Sequence, residues 1–320
     1  MARRPTLRSV KIAVDPTDSR LLVLDDDQIR LFDITTGEAR LLAAEPLPHA
    51  EWLTTSRDFV LTLSAEVGGA GASVDRGLVT RFGWDLSRGD AIAVRSIERR
   101  GLELSADGSR LAYVYWAACQ IVLADPTTLE RIDGAGESIP SGVAVSPDGR
   151  HLIAGTADQG SGAILFFDVT EPSTTLDMTR LPAPDPCPGL DDAPYFSAFS
   201  PSGRLALITN ESWGGRGLFI YDVDARKPVW SKQFDADDAD DPDNWFPYPA
   251  VFAQDETLVL AALPDGVHAY RAADGTELGV LPVDADTRRG FAVNGSRRRI
   301  WFGGEQPRPY PFPSAWTDNS

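Results

Sequence analysis

Apolar residues along this chain fall in short runs separated by turn-forming residues, and one such phrase recurs. It reads VSPDGRHLIAG at Val145–Gly155, LSADGSRLAYV at Leu104–Val114 and FSPSGRLALIT at Phe199–Thr209. Proline presets φ, glycine accepts a positive φ, and aspartate and serine bond to their own backbone. Each phrase therefore predicts a strand, a tight turn and a second strand, whereas the 3.6-residue spacing of amphipathic helices is absent.

The turn phrases divide the chain into repeat units. Their anchor positions lie 40 to 54 residues apart and are Asp15, Ser56, Ser105, Ser146, Ser200, Gln254 and Asn294. This interval is close to the ~40–50 residues of a β-propeller blade. A lone four-stranded sheet cannot bury both faces, but sheets stacked around an axis bury them against one another. The repeat predicts an all-β fold: a single seven-bladed β-propeller of four-stranded antiparallel blades over residues 1–320.

A third strand follows in each unit and usually ends at an aspartate. These aspartates are Asp33, Asp85, Asp125, Asp168 and Asp222, while the sixth unit has Arg271 instead. We expect them to be structural and to bond the turn backbone within each blade. A fourth apolar strand closes most units, as in VWSKQF and ELGVLPV.

The SPDG turn followed by a basic residue, together with the aspartate after the third strand, resembles the WD-repeat and YVTN-type propellers. The chain departs from the standard WD pattern, because no Gly-His pair precedes a first strand and Trp84-Asp85 is only the nearest approach to the usual Trp-Asp pair. The resemblance implies a non-catalytic interaction scaffold, which is an analogy at the level of fold.

The end of the chain suggests how the last blade closes. In the proline-rich segment 305–320, Pro307, Pro309, Pro311 and Pro313 stand on alternate residues and remove N–H donors from one strand edge only. This pattern predicts an outermost strand or a polyproline II tail. The N-terminal PTLRSV stretch is the candidate for the remaining strand.

Composition excludes several classes of partner. The formal net charge of −17 argues against nucleic acid and anionic membranes, which are polyanions. Neither an 18-residue apolar run nor a secretory leader is found, so we expect a cytoplasmic protein. We also expect a monomer without a cofactor. Cys119 and Cys187 fit no metal-binding spacing and are predicted to be free thiols, and no metal site is expected.

The loops after second and fourth strands share one face of a propeller. Those predicted to be long and irregular include Thr156–Ala163 and Asn210–Gly217 after second strands, and Leu181–Tyr195 and Phe234–Pro249 after fourth strands. Exposed aromatic residues beside carboxylates suit a basic protein partner through cation–π and charged contacts. The predicted partner-binding residues are Asp191, Asp192, Glu211, Trp213, Arg216, Asp237, Asp238, Asp240, Asp241, Trp245, Phe246 and Tyr248.

Other interpretations of the acidic stretch stay open. A solvated loop with its aromatic residues tucked against the blade edge would have the same composition. Calcium binding is another, although Ala239 interrupts the ligand alternation of an EF-hand loop.

The alternative function is a small-ligand binder or lactonase-like hydrolase at the axial channel. The candidate channel residues are Asp25, Asp26, Asp27 and Glu211. His49, His151 and His268 belong to different units and different strand positions, so we expect no histidine cluster or nucleophilic triad. The two functions make different predictions, because a scaffold depends on Trp213 and Trp245 whereas a channel enzyme depends on its carboxylates.

Overall fold

The computed structural model describes most of the chain. These comprise residues 11–25, 27–66, 73–136, 140–158, 161–170, 177–180, 194–212, 215–234, 250–253, 256–263, 265–283, 290–294 and 298–316. Among these residues, no helix has the length and apolar character that crossing a bilayer requires. Apart from short 3₁₀ turns such as Trp116–Ala118, regular structure here is β-strand.

The strands follow the predicted order of short apolar runs. They are β1 (Lys11–Val14), β2 (Arg20–Asp25), β3 (Gln28–Asp33), β4 (Arg40–Pro46), β5 (Ala50–Thr55), β6 (Phe59–Ala65), β7 (Ser73–Gly83), β8 (Arg88–Leu104), β9 (Leu111–Tyr115), β10 (Gln120–Ala124), β11 (Arg131–Gly136), β12 (Pro140–Val145), β13 (His151–Asp158), β14 (Ser161–Thr170), β15 (Asp177–Arg180), β16 (Pro194–Phe199), β17 (Leu205–Ser212), β18 (Gly215–Asp222), β19 (Lys227–Phe234), β20 (Ala250–Ala253), β21 (Leu258–Leu263), β22 (Gly266–Arg271), β23 (Glu277–Leu281), β24 (Phe291–Asn294), β25 (Arg299–Phe302) and β26 (Arg308–Pro311).

Each sheet is built from antiparallel neighbours in chain order. Four-stranded sheets form from β1–β4, β12–β15, β16–β19 and β20–β23, and a three-stranded sheet forms from β24–β26. Strands β5–β11 make one seven-stranded sheet, because the long strand β8 closes the second repeat unit and opens the third. The all-β antiparallel class is therefore confirmed.

In each of the first five units a buried polar residue holds the turn between the first and second strands. In the fourth unit the Ser146 hydroxyl donates to Asp148 Oδ1 at 2.7 Å and accepts the His151 N–H at 2.8 Å. Gly149 adopts φ = 70°, a left-handed conformation that glycine accepts without strain, and its N–H donates to the Ser146 carbonyl. Ser105 and Ser200 bond their own turns in the same way.

Successive turns also bond to one another. The Arg57 N–H donates to the Ala106 carbonyl at 2.7 Å, and the Asp107 N–H donates to the Pro147 carbonyl at 3.0 Å. Further along, the Ser202 hydroxyl donates to the Glu256 carboxylate at 2.8 Å. The turns thus link the second unit to the third, the third to the fourth and the fifth to the sixth.

The hydrophobic core lies between adjacent sheets. Leu22 and Leu24 of the first unit pack with Val60 and Phe82 of the second. The same arrangement recurs between the third and fourth units and between the fifth and sixth. Face-to-face burial explains why a second strand such as β21 is buried and apolar on both faces.

The first and last sheets are in contact. Trp301 of β25 is fully buried in a cluster with Leu21, Val23 and Phe32. The Asn294 side-chain amide donates to the Asp18 carbonyl at 3.3 Å, and β1 lies against β24. Residues 1–10, which include the PTLRSV stretch predicted to complete the last blade, lie outside the described residues.

The expected role of the third-strand aspartates is confirmed in four units. Asp33, Asp85, Asp125 and Asp222 each accept a backbone N–H from the following turn, at 2.7–2.9 Å. Hydrogen bonding to Thr35 lowers the pKa of Asp33, because the ionised carboxylate is the better acceptor. Asp168 differs, since its described bond is to His151 Nδ1 at 2.9 Å.

The proline-rich segment supplies the outer strand of the last described sheet. Pro309 pairs with Trp301 and Pro311 with Arg299 in an antiparallel register. Prolines on alternate positions leave the opposite edge of β26 free to bond with β25, as the sequence predicts.

Replacing Ser146 by alanine tests the turn. The His151 N–H would lose the acceptor that the fully buried Ser146 hydroxyl provides, and we expect a loss of about 1–3 kcal/mol in the free energy of unfolding. Urea denaturation of wild type and Ser146→Ala measures this loss of stability. The exposed strand residue Ser231 is the control, because Ser231→Ala should cost less than about 0.5 kcal/mol. Equal effects of the two substitutions would show that the hydroxyl does not hold the turn.

Replacing Trp301 by alanine tests the contact between the first and last sheets. We expect a loss of about 3–5 kcal/mol, because a fully buried indole leaves a cavity between two sheets. Hydrogen exchange should then accelerate in Leu21–Leu24 as well as in β25. Acceleration confined to β24–β26 would contradict coupling between the two ends of the chain.

Candidate functional site

The sheet of β16–β19 gathers several strand ends at one edge. Glu211 of β17 pairs with Arg216 of β18, and Arg216 pairs with Phe234, the last residue of β19. On the other side, Pro194 at the start of β16 pairs with Asn210 of β17. Four strand ends therefore lie side by side at the same end of the sheet.

This strand end carries the segments predicted to bind a partner. Asp191 and Asp192 stand in the sequence three and two residues before the start of β16, Trp213 stands between β17 and β18, and the acidic stretch follows β19. The backbones of Glu211 and Arg216 are part of the described strands. The remaining predicted residues lie outside the described residues: Asp191, Asp192, Trp213, Asp237, Asp238, Asp240, Asp241, Trp245, Phe246 and Tyr248.

The prediction of long irregular loops after the second strands is wrong for two units. Thr156–Ala163 and Asn210–Gly217 consist mostly of paired strand, with ladders that continue to Asp158↔Ser161 and Ser212↔Gly215. Extending the hairpin satisfies backbone N–H and C=O groups that an irregular loop would leave to solvent. Both stretches contain glycines, which are more typical of loops than of strands, so the sequence pattern favours a loop there.

The channel candidates Asp25 and Asp27 lie at the end of the β2–β3 hairpin. Asp25 forms an ion pair with the buried Arg30, and Arg30 also donates to the Glu305 carbonyl, in the loop between β25 and β26, at 3.1 Å. This arrangement gives Asp25 a structural role where the first and last sheets meet. Asp27 is exposed, and Asp26 lies outside the described residues.

A cluster of first-strand side chains around Glu103 is absent from the sequence-based predictions of channel carboxylates. Glu103 of β8 accepts the Thr54 hydroxyl of β5 at 3.2 Å, and the same hydroxyl accepts the Leu104 N–H at 3.0 Å. Lys11 of β1 places its ammonium 3.7 Å from the centre of the Trp52 ring. First strands of the first three units thus contribute to one group of polar and aromatic side chains.

Electrostatics sets Glu103 apart from the other described carboxylates. Glu103 is half-buried, and its desolvation between neighbouring strands raises its pKa to about 8, while Lys11, Thr54 and Trp52 act in the opposite direction. A carboxyl group with such a pKa is partly protonated at neutral pH and can both donate and accept a proton.

The repeat itself contained a signal for Glu103. Two residues before each turn anchor stand Ala13, Thr54, Glu103, Ala144, Ala198, Phe252 and Ala292. Alanine dominates this register position, so a glutamate there is an exception that alignment of the units could have revealed. Its contacts with Thr54 and the neighbouring first strands needed the tertiary structure.

The histidines are separate, as predicted. His151 and His268 lie on different sheets, and His49 precedes β5. His268 is buried between two carboxylates, with Nε2 2.7 Å from Asp265 Oδ1 and Nδ1 3.0 Å from Glu277 Oε1. Because the two ring nitrogens point to different partners, the group cannot converge on one ion, and no metal-binding cluster occurs among the described residues.

Glu277 joins the fifth and sixth units. Lys232 of β19 donates to its Oε2 at 2.7 Å, and this bond, with a smaller effect from His268, holds the pKa of Glu277 below its usual value. The Lys232 ammonium also lies 4.5 Å from the centre of the Tyr270 ring. These contacts are lateral links between sheets.

Comparison with known proteins supports the fold class. No protein-family model and no curated protein matches the chain. Its structure is similar to hydrazine synthase of Kuenenia stuttgartiensis, a β-propeller-containing protein, with a TM-score of 0.66 and 13% identity over 97% of this chain and 98% of that one. It is also similar to a functionally unknown protein from Desulfotomaculum acetoxidans DSM 771, with a TM-score of 0.63 and 12% identity over 85% and 84% of the two chains. At these identities the similarity shows a propeller-type fold alone.

Replacing Glu103 by glutamine tests its environment through the pH dependence of stability. With a pKa of about 8 in the folded protein and an ordinary value near 4.5 when unfolded, the folded state retains a proton that the unfolded state loses. Wild-type stability should therefore fall as pH rises from about 4.5 to 8, and Glu103→Gln should remove that contribution.

Urea denaturation at pH 5, 7 and 9 measures this difference. The stability of Glu103→Gln relative to wild type should increase with pH, whereas the exposed Glu38→Gln control should not show such a trend. Parallel pH profiles for wild type and Glu103→Gln would mean that Glu103 ionises as an ordinary surface carboxylate does.

Proposed function

We propose that this chain is a non-catalytic scaffold that binds a basic partner protein through the strand-end face of β16–β19. The observation that carries the proposal is the register Glu211↔Arg216↔Phe234, with Pro194 against Asn210. This register brings to one edge of a single sheet the strand ends that border three acidic or aromatic segments, which contain Asp191 and Asp192, Trp213, and residues 235–249. Segments anchored on neighbouring strands can act on one partner together.

The chemistry of these segments favours a cationic surface. Residues 235–249 include six aspartates together with Trp245, Phe246 and Tyr248, and Trp213 stands between the neighbouring strands. Carboxylates attract Arg and Lys side chains, and aromatic faces add cation–π contact. The net charge of −17 would speed the approach of a basic partner.

We further propose a closed ring of seven WD-repeat-like, YVTN-type blades as the frame of this scaffold. Support comes from the repeated turn with its buried polar anchor and from the packing of Trp301 against Leu21 and Val23. A ring holds its loops rigidly, which lowers the entropy lost on binding.

Two variants test the binding face. In Trp213→Ala/Trp245→Ala the aromatic contacts are removed, and in Asp237→Asn/Asp238→Asn/Asp240→Asn/Asp241→Asn four charges are removed. Affinity capture from native lysate, with quantitative mass spectrometry, should identify a basic protein retained by wild type. We expect its capture to fall about tenfold or more with either variant, because several exposed charged and aromatic contacts are lost together.

A charge-matched control distinguishes the face from the overall acidity. Glu38→Gln/Glu45→Gln/Asp58→Asn/Asp90→Asn also removes four exposed negative charges, but at other sites on the described surface. The partner should remain bound to this control, and circular dichroism should show that all variants are folded. Equal losses from the control and the loop variant, or capture that is unaffected by both loop variants, would overturn the proposed face.

A second candidate is a small-ligand binder or hydrolase that acts at the first strands, and Glu103 favours it. Its raised pKa and its neighbours Thr54, Trp52 and Lys11 form a polar group near the expected axis. In that case Glu103→Gln would abolish turnover or ligand binding, while Trp213→Ala/Trp245→Ala would leave them intact.

A further inference from the structure

The seven-stranded sheet forks at Ile97. Strand β8 pairs with β7 up to Glu98 and with β9 through Leu102–Leu104, and Ile97 pairs with both Val74 and Tyr115. The register shifts between Ile97 and Leu102, so the strand bends where it passes from the second unit to the third. The two units diverge on either side of β8.

A cleft of about 330 Å³ opens between the diverging units. Its floor is apolar and includes Val79, Ile97, Leu102 and Leu111, each at most 2% exposed. These residues belong to the core cluster shared by the two units, so the cleft is a notch in that core. Its volume lies at the lower end of the range of small-molecule sites, about 300–1,000 Å³.

Polar groups are confined to the rim. Arg95 and Arg131 line the cleft with Glu130, and the rings of Tyr113 and Tyr115 stand on the same face of β9. Arg131 donates to the Gln120 side-chain carbonyl at 2.8 Å, which fixes the guanidinium while leaving further N–H donors. Burial raises the pKa of Tyr113, so its hydroxyl stays protonated and able to donate.

The rim has a charge opposite to that of the whole protein. Two arginines face one glutamate at the cleft, although the chain carries a net charge of −17. The Arg95 side chain is exposed on the cleft lining, where a ligand can reach it. A guanidinium pairs well with a planar carboxylate, and tyrosine rings favour an aromatic body above an apolar floor.

We propose that this cleft binds a small aromatic carboxylate, with the ring against the Ile97–Leu111 floor and the carboxylate at Arg95 and Arg131. The site is separate from the strand-end face of β16–β19, so it is independent of the proposed scaffold function. Its ligand would occupy the notch where the second and third units diverge.

Isothermal titration with two probes of the same shape tests the proposal. The probes are 1-naphthylacetate and its neutral amide. We expect saturable binding of the acid, about five- to tenfold tighter than that of the amide, because two partly exposed arginine contacts favour the charged group. Arg95→Gln/Arg131→Gln should remove this preference, while Arg57→Gln/Arg150→Gln, which changes exposed arginines elsewhere, should retain it.

A filling variant tests the location. Ile92 lines the cleft, is partly exposed and pairs with Val79 of the floor, so Ile92→Trp should fill the notch and abolish binding of both probes. In wild type, saturating 1-naphthylacetate should slow hydrogen exchange in Leu111–Tyr115 and not in β21. Absence of saturable binding to wild type, equal affinity for acid and amide, or exchange protection elsewhere would each overturn the proposal.

Discussion

The buried polar residue that begins the first turn in each of the first five units is the constraint on which the structure depends. Ser105, Ser146 and Ser200 are completely buried, and each hydroxyl takes up a backbone N–H that would otherwise be unsatisfied. A bonded turn sets the register of the first two strands, and that register determines which side chains face the next sheet. Asp15 performs the same task with a carboxylate in the first unit.

From this constraint follows the coupling between units. Turns in the same conformation can bond to one another, as Arg57 does with Ala106 and Asp107 with Pro147. The apolar faces of neighbouring sheets then pack together, and Trp301 extends this packing from the last sheet to the first. Local hydrogen bonds and long-range burial therefore favour the same arrangement, which is the consistency expected of a well-determined fold.

The three regions of functional interest lie in different parts of this frame. The strand ends of β16–β19 carry the acidic and aromatic segments, the first strands carry Glu103, and the fork of β8 carries the cleft. They also differ in electrostatics, because an acidic segment, an enclosed carboxyl group and an arginine-lined notch suit different ligands. The strand-end face of β16–β19 depends on the composition of its segments. The surroundings of Glu103 and the cleft at the fork of β8 depend on contacts between units.

The sequence by itself determined the all-β class, the order of strands, the turn chemistry and the separation of the histidines, because each depends on residues close together in the chain. It also contained the alternate prolines that mark β26 as an outer strand. The tertiary structure alone decided that two glycine-containing loops continue as paired hairpins, since pairing depends on the strand opposite. Likewise, the enclosure of Glu103 and the cleft at Ile97 arise where separate units meet, and burial between units is a property that no local pattern specifies.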